Sequence, residues 1–410
     1  IKDYKNNENS IKADINDLVS LIYGDDFSYY NKDLFLKSIF DSLFVCKWDL
    51  GNYYNKSFWV GDNHTRTQER WIYGFFWLQD LVLEYKNTGN ILYLEKAKEI
   101  YNLYKQHTSI CYSKFNLKGK TLCFGNDSLE GAINKPMIWH DETVARRLFA
   151  SLLFFEYIDF LNDTILKKSL DNDIKQMASI LASVDFYSQD NNHGMFQSLS
   201  LLAYSCYYND SLDVVYQDLS LSRLFDYFIY SFTDEGITRE HTPTYHFTIS
   251  NRLHSFIKFY DKYLSSHYEK IINDELNQIF HKSKIFSYAI LLPDNSFPPI
   301  GDCVSGRNPQ FLYPNIFDLD TINLANNRNY IFNSGYAIFK EIINSSTNFY
   351  LMFLAAYNHW SHKHSDDLSF ILYYNNRYIF IDCGYFGYEK NSQLVDYGNS
   401  SFAHNTLIVD

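Results

Sequence analysis

His359-Trp360-Ser361-His362-Lys363-His364-Ser365-Asp366-Asp367-Leu368-Ser369-Phe370 crowds three histidines and two aspartates together, and the apolar run Ile371-Leu372-Tyr373-Tyr374 follows at once. A polar turn, Asn375-Asn376, separates that run from Tyr378-Ile379-Phe380-Ile381, which delivers Asp382. A third strand-like run, Asn405-Thr406-Leu407-Ile408-Val409, is preceded by His404. Short apolar and aromatic runs bounded by polar turns predict strands. Adjacent strands can bring His364, Asp382 and His404 within a few ångströms of each other. Two imidazoles and a carboxylate with an open fourth position form a common zinc arrangement.

Upstream the pattern is different. Asp14–Tyr23, Leu34–Val45, Thr67–Tyr85 and Ile91–Tyr104 carry apolar residues at helical spacing, with a polar link at Asp49-Leu50-Gly51-Asn52. After a loop-like region, Cys111–Gly131, the helical spacing resumes. It runs through Asp141–Phe160, Thr164–Val184, His193–Tyr207, Ser211–Phe232, Ser250–Tyr263 and Tyr268–Tyr288. Paired helices with short loops predict an α-helical toroid or solenoid. No repeat of fixed period is present, which disfavours the regular solenoids. Past Pro298-Pro299-Ile300-Gly301-Asp302, the runs Tyr336–Phe339 and Phe349–Leu354 read as strands. The change is placed in the Asn-rich segment Asn323–Asn329, giving a helical domain over 1–325 and a β-domain over 326–410.

A chain of 410 residues is long enough for two cores. Its formal net charge of -12 argues against non-specific binding to nucleic acid or to an anionic membrane. It does not exclude an anionic ligand, because a local Arg/His cluster overrides the net field at contact distance. Cys46, Cys111, Cys123, Cys206, Cys303 and Cys383 are scattered without a CxxC pair and read as reduced, buried thiols. No apolar run is long enough to span a bilayer. The chain opens on Ile1 and stops at Asp410 directly after a strand-like run, so the native protein is expected to continue. Three loops are chemically dense: Trp139-His140-Asp141-Glu142, Asp190-Asn191-Asn192-His193-Gly194 and Thr238–His246.

Asn192-His193-Gly194, Tyr245-His246, His362-Lys363-His364-Ser365-Asp366, Asp382-Cys383-Gly384 and Ala403-His404-Asn405-Thr406, in that order, resemble the heparinase II/III-like polysaccharide lyases, whose plan the related alginate lyases share. The resemblance covers most of the chain. It implies an N-terminal (α/α) toroid, a C-terminal antiparallel β-sandwich incomplete here, and an active site between them. It implies β-elimination on the uronic acid of an acidic polysaccharide. Three tasks follow: the uronate carboxylate must be neutralised, a base must take the C5 proton, and an acid must protonate the leaving oxygen. Amide and imidazole donors suit the first, and the resemblance assigns it to Asn192 and His193. It assigns the proton transfers to Tyr245 and His362. Tyrosine titrates near 10, so a phenolate base needs a positive neighbour, such as Arg239, His246 or a metal. Tyr245 alone serves when base and acid share a face of the sugar; His362 is the better base when they do not. His364, Asp382 and His404 are implied to hold one zinc ion in a structural role. Trp139 and His140, with Arg146, are further sugar-binding candidates, as are Arg239, Glu240 and His246.

Each assignment has a plainer reading beside it. His-x-His on a strand occurs on ordinary surfaces. Asn192 suits a helix N-cap. Glu240 suits an ion pair with Arg239, His254 and His267 suit helical packing, and Asp366-Asp367 suits a brace for the histidine loop. Asp302 suits a turn. Two other functions compete: an inverting glycoside hydrolase using Asp141 or Glu142 with Glu240, and a non-catalytic polysaccharide-binding or assembly protein for capsule or O-antigen. The Tyr245/His362 pair separates the lyase from the last of these. A periplasmic or secreted location suits a lyase, and the unpatterned cysteines suit the cytoplasm equally.

Overall fold

The structure is a computed structural model that describes residues 12–23, 44–45, 48–49, 51–61, 64–108, 136–208, 211–265, 270–303, 308–309, 313–317, 328–342, 344, 347–359, 362–388 and 392–408. The chain divides into two compact units, Ile1–Ile22 with Phe27–Tyr227, and Tyr23–Asp26 with Phe228–Asp410. The expected loop Cys111–Gly131, three of the cysteines (Cys46, Cys111, Cys123) and His267 lie outside the described residues.

The first unit is helical. Its elements are α1 (Ile15–Tyr23), a ribbon of β1 (Phe44–Val45) and β2 (Trp48–Asp49), α2 (Lys56–Val60), α3 (Arg66–Tyr73), α4 (Phe76–Thr88), α5 (Leu92–Thr108), α6 (Asp141–Tyr157), α7 (Thr164–Ala182), α8 (Asn192–Tyr208) and the start of α9 (Ser211–Ser231). The run read as one helix over Thr67–Tyr85 is two. Thr65 opens α3 with a reciprocal capping box to Gln68, and Phe75, at φ 60°, breaks the helical path before α4. Of the helix expected over Leu34–Val45, residues 34–43 are outside the described set and the last two form β1.

Helix α6 is the hub of this unit and packs on α4, α7 and α8. Val144, Ala145, Leu148, Phe149, Leu152, Leu153 and Phe154 are all buried along it, so it is apolar nearly all round. Arg147 is also wholly buried. Its guanidinium donates to the carbonyls of Tyr73 and Ile138, each at 2.9 Å. Those two bonds pin the turn Pro136–Trp139 and so fix where His140 and Asp141 stand at the start of α6.

The second unit contains α10 (Pro243–Tyr263), α11 (Lys270–Ile290), the strands β3 (Arg328–Phe332), β4 (Tyr336–Ile342), β5 (Asn348–Leu354), β6 (Ser369–Tyr374) and β7 (Arg377–Phe380), and α12 (Gln393–Asn399). The five strands form one antiparallel sheet in sequence order. Burial alternates along β4, β5 and β6, as a sheet with one packed face requires. Tyr336 and Ile338 point inward from β4, and Tyr350 and Met352 from β5. The sheet satisfies carbonyls at the end of α11: Tyr350 donates to Ile290 O at 2.9 Å, and buried Lys340 donates to Tyr288 O at 3.3 Å and, just past the helix, to Leu291 O at 3.0 Å.

Two expectations are corrected here. Thr238–His246, read as one loop, ends in a helix: Pro243 occupies the first turn of α10 and the Thr242 side chain accepts from Tyr245 N. Tyr245 and His246 are therefore held on a rigid helical turn. The run Asn405–Val409 is not a strand over its described residues, 405–408. Asn405 instead ties it to the sheet by its side chain, donating to Phe370 O and Ile381 O, each at 3.0 Å.

Candidate active site and metal centre

In the first unit the loop before α8 and the start of α6 bring charged groups together. Asp141 Oδ1 lies 3.0 Å from both His140 Nδ1 and His193 Nδ1, and Ser188 donates to its other oxygen. Burial alone would raise the Asp141 carboxyl. The hydrogen bond and charge of His193, with smaller help from His140 and Ser188, hold it down to about 2. Burial pushes His140 down to about 4, so that imidazole is neutral near pH 7. Glu142, itself buried, pairs with Arg70 and takes Arg146 at 3.3 Å, while His193 Nε2 lies 3.8 Å from it. The cap of α8 is Asn191, whose Oδ1 accepts from His193 N at 2.8 Å and Gly194 N at 3.2 Å. Asn192 is thus relieved of the capping role. It stands half-buried beside His193.

In the second unit one carboxylate organises the cluster. Asp302 Oδ2 lies 2.6 Å from His362 Nδ1 and accepts from Tyr388 at 3.0 Å, and Asp302 Oδ1 lies 3.0 Å from His364 Nε2. Burial would raise its carboxyl, but the hydrogen bonds from His362 and His364 outweigh that and hold it well below the usual carboxylate range. A carboxylate can only accept, so it fixes Nδ1–H on His362 and Nε2–H on His364. The Tyr245 ring stacks on His362 with centroids 3.8 Å apart. Its hydroxyl is 3.2 Å from that of Tyr388, which is 3.1 Å from His362 Nδ1. His362 Nε2 faces Glu240 Oε2 at 3.5 Å.

Backbone geometry makes this possible. His362 adopts φ 55° and Gly301 adopts φ 53°, and a Cβ on Gly301 would lie 2.8 Å from the His362 carbonyl oxygen. Only glycine permits that approach. It places Asp302 under the histidines, although its setting in the sequence suits only a turn. His241 latches the far side of the loop. Its Nε2 accepts from Asn358 N at 2.8 Å and His359 N at 3.0 Å, and burial pushes it down to about 4.

The residues implied for a metal gather beside this cluster. His364 and His404 are buried, their rings 5.4 Å apart. His404 Nδ1 lies 2.8 Å from Asp382 Oδ2. His364 Nδ1 and His404 Nε2 have no hydrogen-bond partner among the described residues. A ligating atom from each of His364, Cys383 and His404 lies within 4.8 Å of the others. Two buried, unpartnered imidazole nitrogens beside a thiol fit a soft divalent ion.

Other expectations fare differently. His246 is turned into the core, where its Nε2 meets Ser287 Oγ at 3.0 Å and Ser283 O at 3.1 Å, and burial pushes it down to about 4. It therefore offers no charge to Tyr245 and no surface to a sugar. Trp139 is 8 % exposed and its ring is covered by the Arg147 guanidinium at 5.9 Å, which leaves little face for stacking. Arg239 is held to Tyr230, donating to its carbonyl at 2.7 Å, rather than pairing with Glu240. Arg146 lies 3.9 Å over the Phe196 ring and beside Glu142. Asp366 pairs with Lys363, as a brace for the loop. His254 stacks on Phe280 at 4.7 Å. Tyr388 and Arg70 belong to no motif, Asp302 reads from the sequence only as a turn, and Cys383 and Asn191 read only as neighbours of Asp382 and Asn192.

Residues 326–410 match the family model described as Heparinase II/III-like, C-terminal. A comparison with curated proteins by sequence gives no match. Among solved structures, one of heparinase III is similar at 16% identity and TM-score 0.66, covering 97% of this chain and 63% of that one. A heparinase III, the BT4657 gene product, is similar at 16% and 0.60 over 98% and 62%, and the heparan sulfate lyase HepC of Pedobacter heparinus at 16% and 0.54 over 97% and 60%. The likeness in fold, helices followed by an antiparallel sheet, spans about three-fifths of the length of these structures.

Proposed function

With a heparinase II/III-like C-terminal domain at residues 326–410 and a heparinase III-like fold, we propose that this chain is a polysaccharide lyase that cleaves a uronic-acid-containing glycan by β-elimination. The observation that carries the reading is the stacked pair Tyr245 and His362, joined to Asp302 and Tyr388 by hydrogen bonds. A sugar-binding surface has no need of a phenol and an imidazole oriented by a buried carboxylate.

The roles follow from the donors and acceptors. The Asn192 amide and the His193 imidazole hydrogen-bond the uronate carboxylate and stabilise the enolate that forms when the C5 proton leaves. Asp302 keeps the proton of His362 on Nδ1, which leaves the lone pair of Nε2 as the base. The Tyr245 hydroxyl protonates the departing glycosidic oxygen. Where proton and leaving group share one face of the ring, Tyr245 performs both transfers and His362 supports its phenolate. Tyr388 remains protonated, since burial and then the nearby Tyr245 and Asp302 oxygens raise its pKa, so it donates to whichever neighbour is the anion. His364 and His404, with a third donor from Asp382-Cys383, would hold a zinc ion, which would fix the histidine loop.

The hydrolase alternative needs a carboxyl that stays protonated to act as the acid. Asp141 is pushed the other way, and Glu142 is committed to Arg70 and Arg146. The deciding measurement is ultraviolet absorbance during incubation with heparan sulfate, chondroitin, hyaluronan, alginate and polyglucuronate. Elimination leaves a C4–C5 double bond conjugated to the carboxylate, so absorbance rises on the substrate. New reducing ends without absorbance would establish hydrolysis instead, and neither signal on the whole panel would leave glycan binding.

A further inference from the structure

We infer that the third protein donor to the metal is the Cys383 thiolate, and that Asp382 stands behind His404 as the acceptor that orients it. A ligating atom from each of His364, Cys383 and His404 lies within 4.8 Å of the others, and Asp382, the third residue expected from the sequence, is not in that group.

Asp382 is already committed at both oxygens. Oδ2 lies 2.8 Å from His404 Nδ1, and Oδ1 accepts from Gly384 N at 3.1 Å. The first contact puts the proton of His404 on Nδ1 and leaves Nε2 with its lone pair. Nε2 is the nitrogen that is buried and without a hydrogen-bond partner among the described residues. His364 repeats the arrangement with the nitrogens exchanged. Asp302 takes Nε2–H at 3.0 Å, and Nδ1 is left buried and without a partner. Two imidazoles, each backed by a carboxylate and each presenting a bare nitrogen, are what carboxylate–histidine–metal triads provide. Left without an ion, two such nitrogens cost desolvation with nothing in return.

The chain is built to present residue 383. It leaves β7 at Phe380, so Asp382 and Cys383 escape the strand alternation that would send them to opposite faces. Gly384 then turns at φ 67° and its N–H bonds back to Asp382. A Cβ there would come within 3.1 Å of Pro299 Cβ. Among the described residues the Cys383 sulfur meets the carbonyls of Gly384 and Gly398, both at a loose 3.5 Å. An open cavity lined by Lys363, His364, Ser365 and Thr406, among others, gives an ion a path to His364. When the sulfur–metal bond forms, the S–H bond breaks and its proton leaves to solvent. A thiolate and two imidazoles select zinc, cobalt or cadmium over calcium and magnesium.

The inference goes beyond the lyase reading and does not depend on it. Its test is the ion itself. Full-length chain is stripped of metal and loaded with Co2+ for absorption and with Zn2+ for X-ray absorption. We expect one ion per chain, a near-ultraviolet sulfur-to-cobalt band, and a zinc–sulfur distance of about 2.3 Å. Cys383→Ser loses the band. Asp382→Asn keeps both band and ion, with affinity lower by about 10–100-fold. One ion without the band and without sulfur scattering would overturn the assignment while leaving a metal centre in place. So would an Asp382→Asn chain that binds no ion beside a Cys383→Ser chain that binds it fully. A chain that binds no ion under any condition would overturn the metal centre and the inference together. Scattering from the unsubstituted protein decides the matter even where a variant fails to fold.

Discussion

The two polar clusters are built on opposite plans. In the first unit, His140, Asp141, Glu142 and His193 sit at the starts of α6 and α8, and regular helix geometry with a buried Arg147 holds them. Each acid there has a cation or a histidine against it, a balanced set that can accept an anionic substrate only by re-sharing its donors. In the second unit, Tyr245 stands on the first turn of α10 while His362, at φ 55°, sits on a loop that Asp302, His241 and Gly301 hold in place. The first plan suits recognition of charge; the second suits proton transfer, where misplacement by an ångström is costly.

The sharpest way to break that contrast is to remove one group from each cluster. Tyr245→Phe deletes one hydroxyl, which bonds to Tyr388, and removes little volume, so elimination should fall by on the order of a thousandfold with the fold retained. His193→Ala should lower turnover by about a hundredfold and weaken substrate binding as well. Parallel ultraviolet rates and KM values check both, and equal effects on KM from the two variants would erase the proposed division of labour.

Acid should separate the units next. His241 and His246 in the second unit, and His140 in the first, are pushed down to about 4 from 6.5. Between those values these three sites bind more protons in the unfolded chain than in the folded one. Their contribution to stability therefore falls as pH drops from about 6.5 toward 4. Asp141 and Asp302, held low, withdraw their contribution only below 3.8. Hydrogen exchange across that window should show the second unit, with two such histidines, opening first. Exchange that begins only below 3.8 would make the carboxylates, not the histidines, the acid-sensitive element.

The smallest effect expected is at the cap of α8. Asn191→Ala should cost about 1 kcal/mol and lower the melting temperature by a few degrees. A loss of activity far beyond that would mean that the cap, rather than Asn192, positions the carboxylate-binding pair.

Much of this was legible in the sequence because its physics is local. Period 3.6 reported the helices from Asp141 onward, and short apolar and aromatic runs reported β4, β5 and β6. The break at Phe75 was not legible, since its cause is a left-handed residue inside an apolar run. The start of α10 was hidden because Pro243 suits a loop and a helix's first turn alike. His362, His364 and His404 announce themselves as a motif. Asp302 and Tyr388 do not: their partners lie 60 and 86 residues away, and no spacing rule links them. Cys383 was grouped with the scattered cysteines, although it adjoins Asp382 in the sequence.

The Gly301–Asp302 turn has one further consequence. A single carboxylate faces His362 with one oxygen and His364 with the other. A longer side chain, or an amide, would disturb both imidazoles at once. Descendants of this chain could not trade the proposed proton-transfer site against the proposed metal site by changing residue 302. Through that position the two would be inherited, lost and regained as one trait.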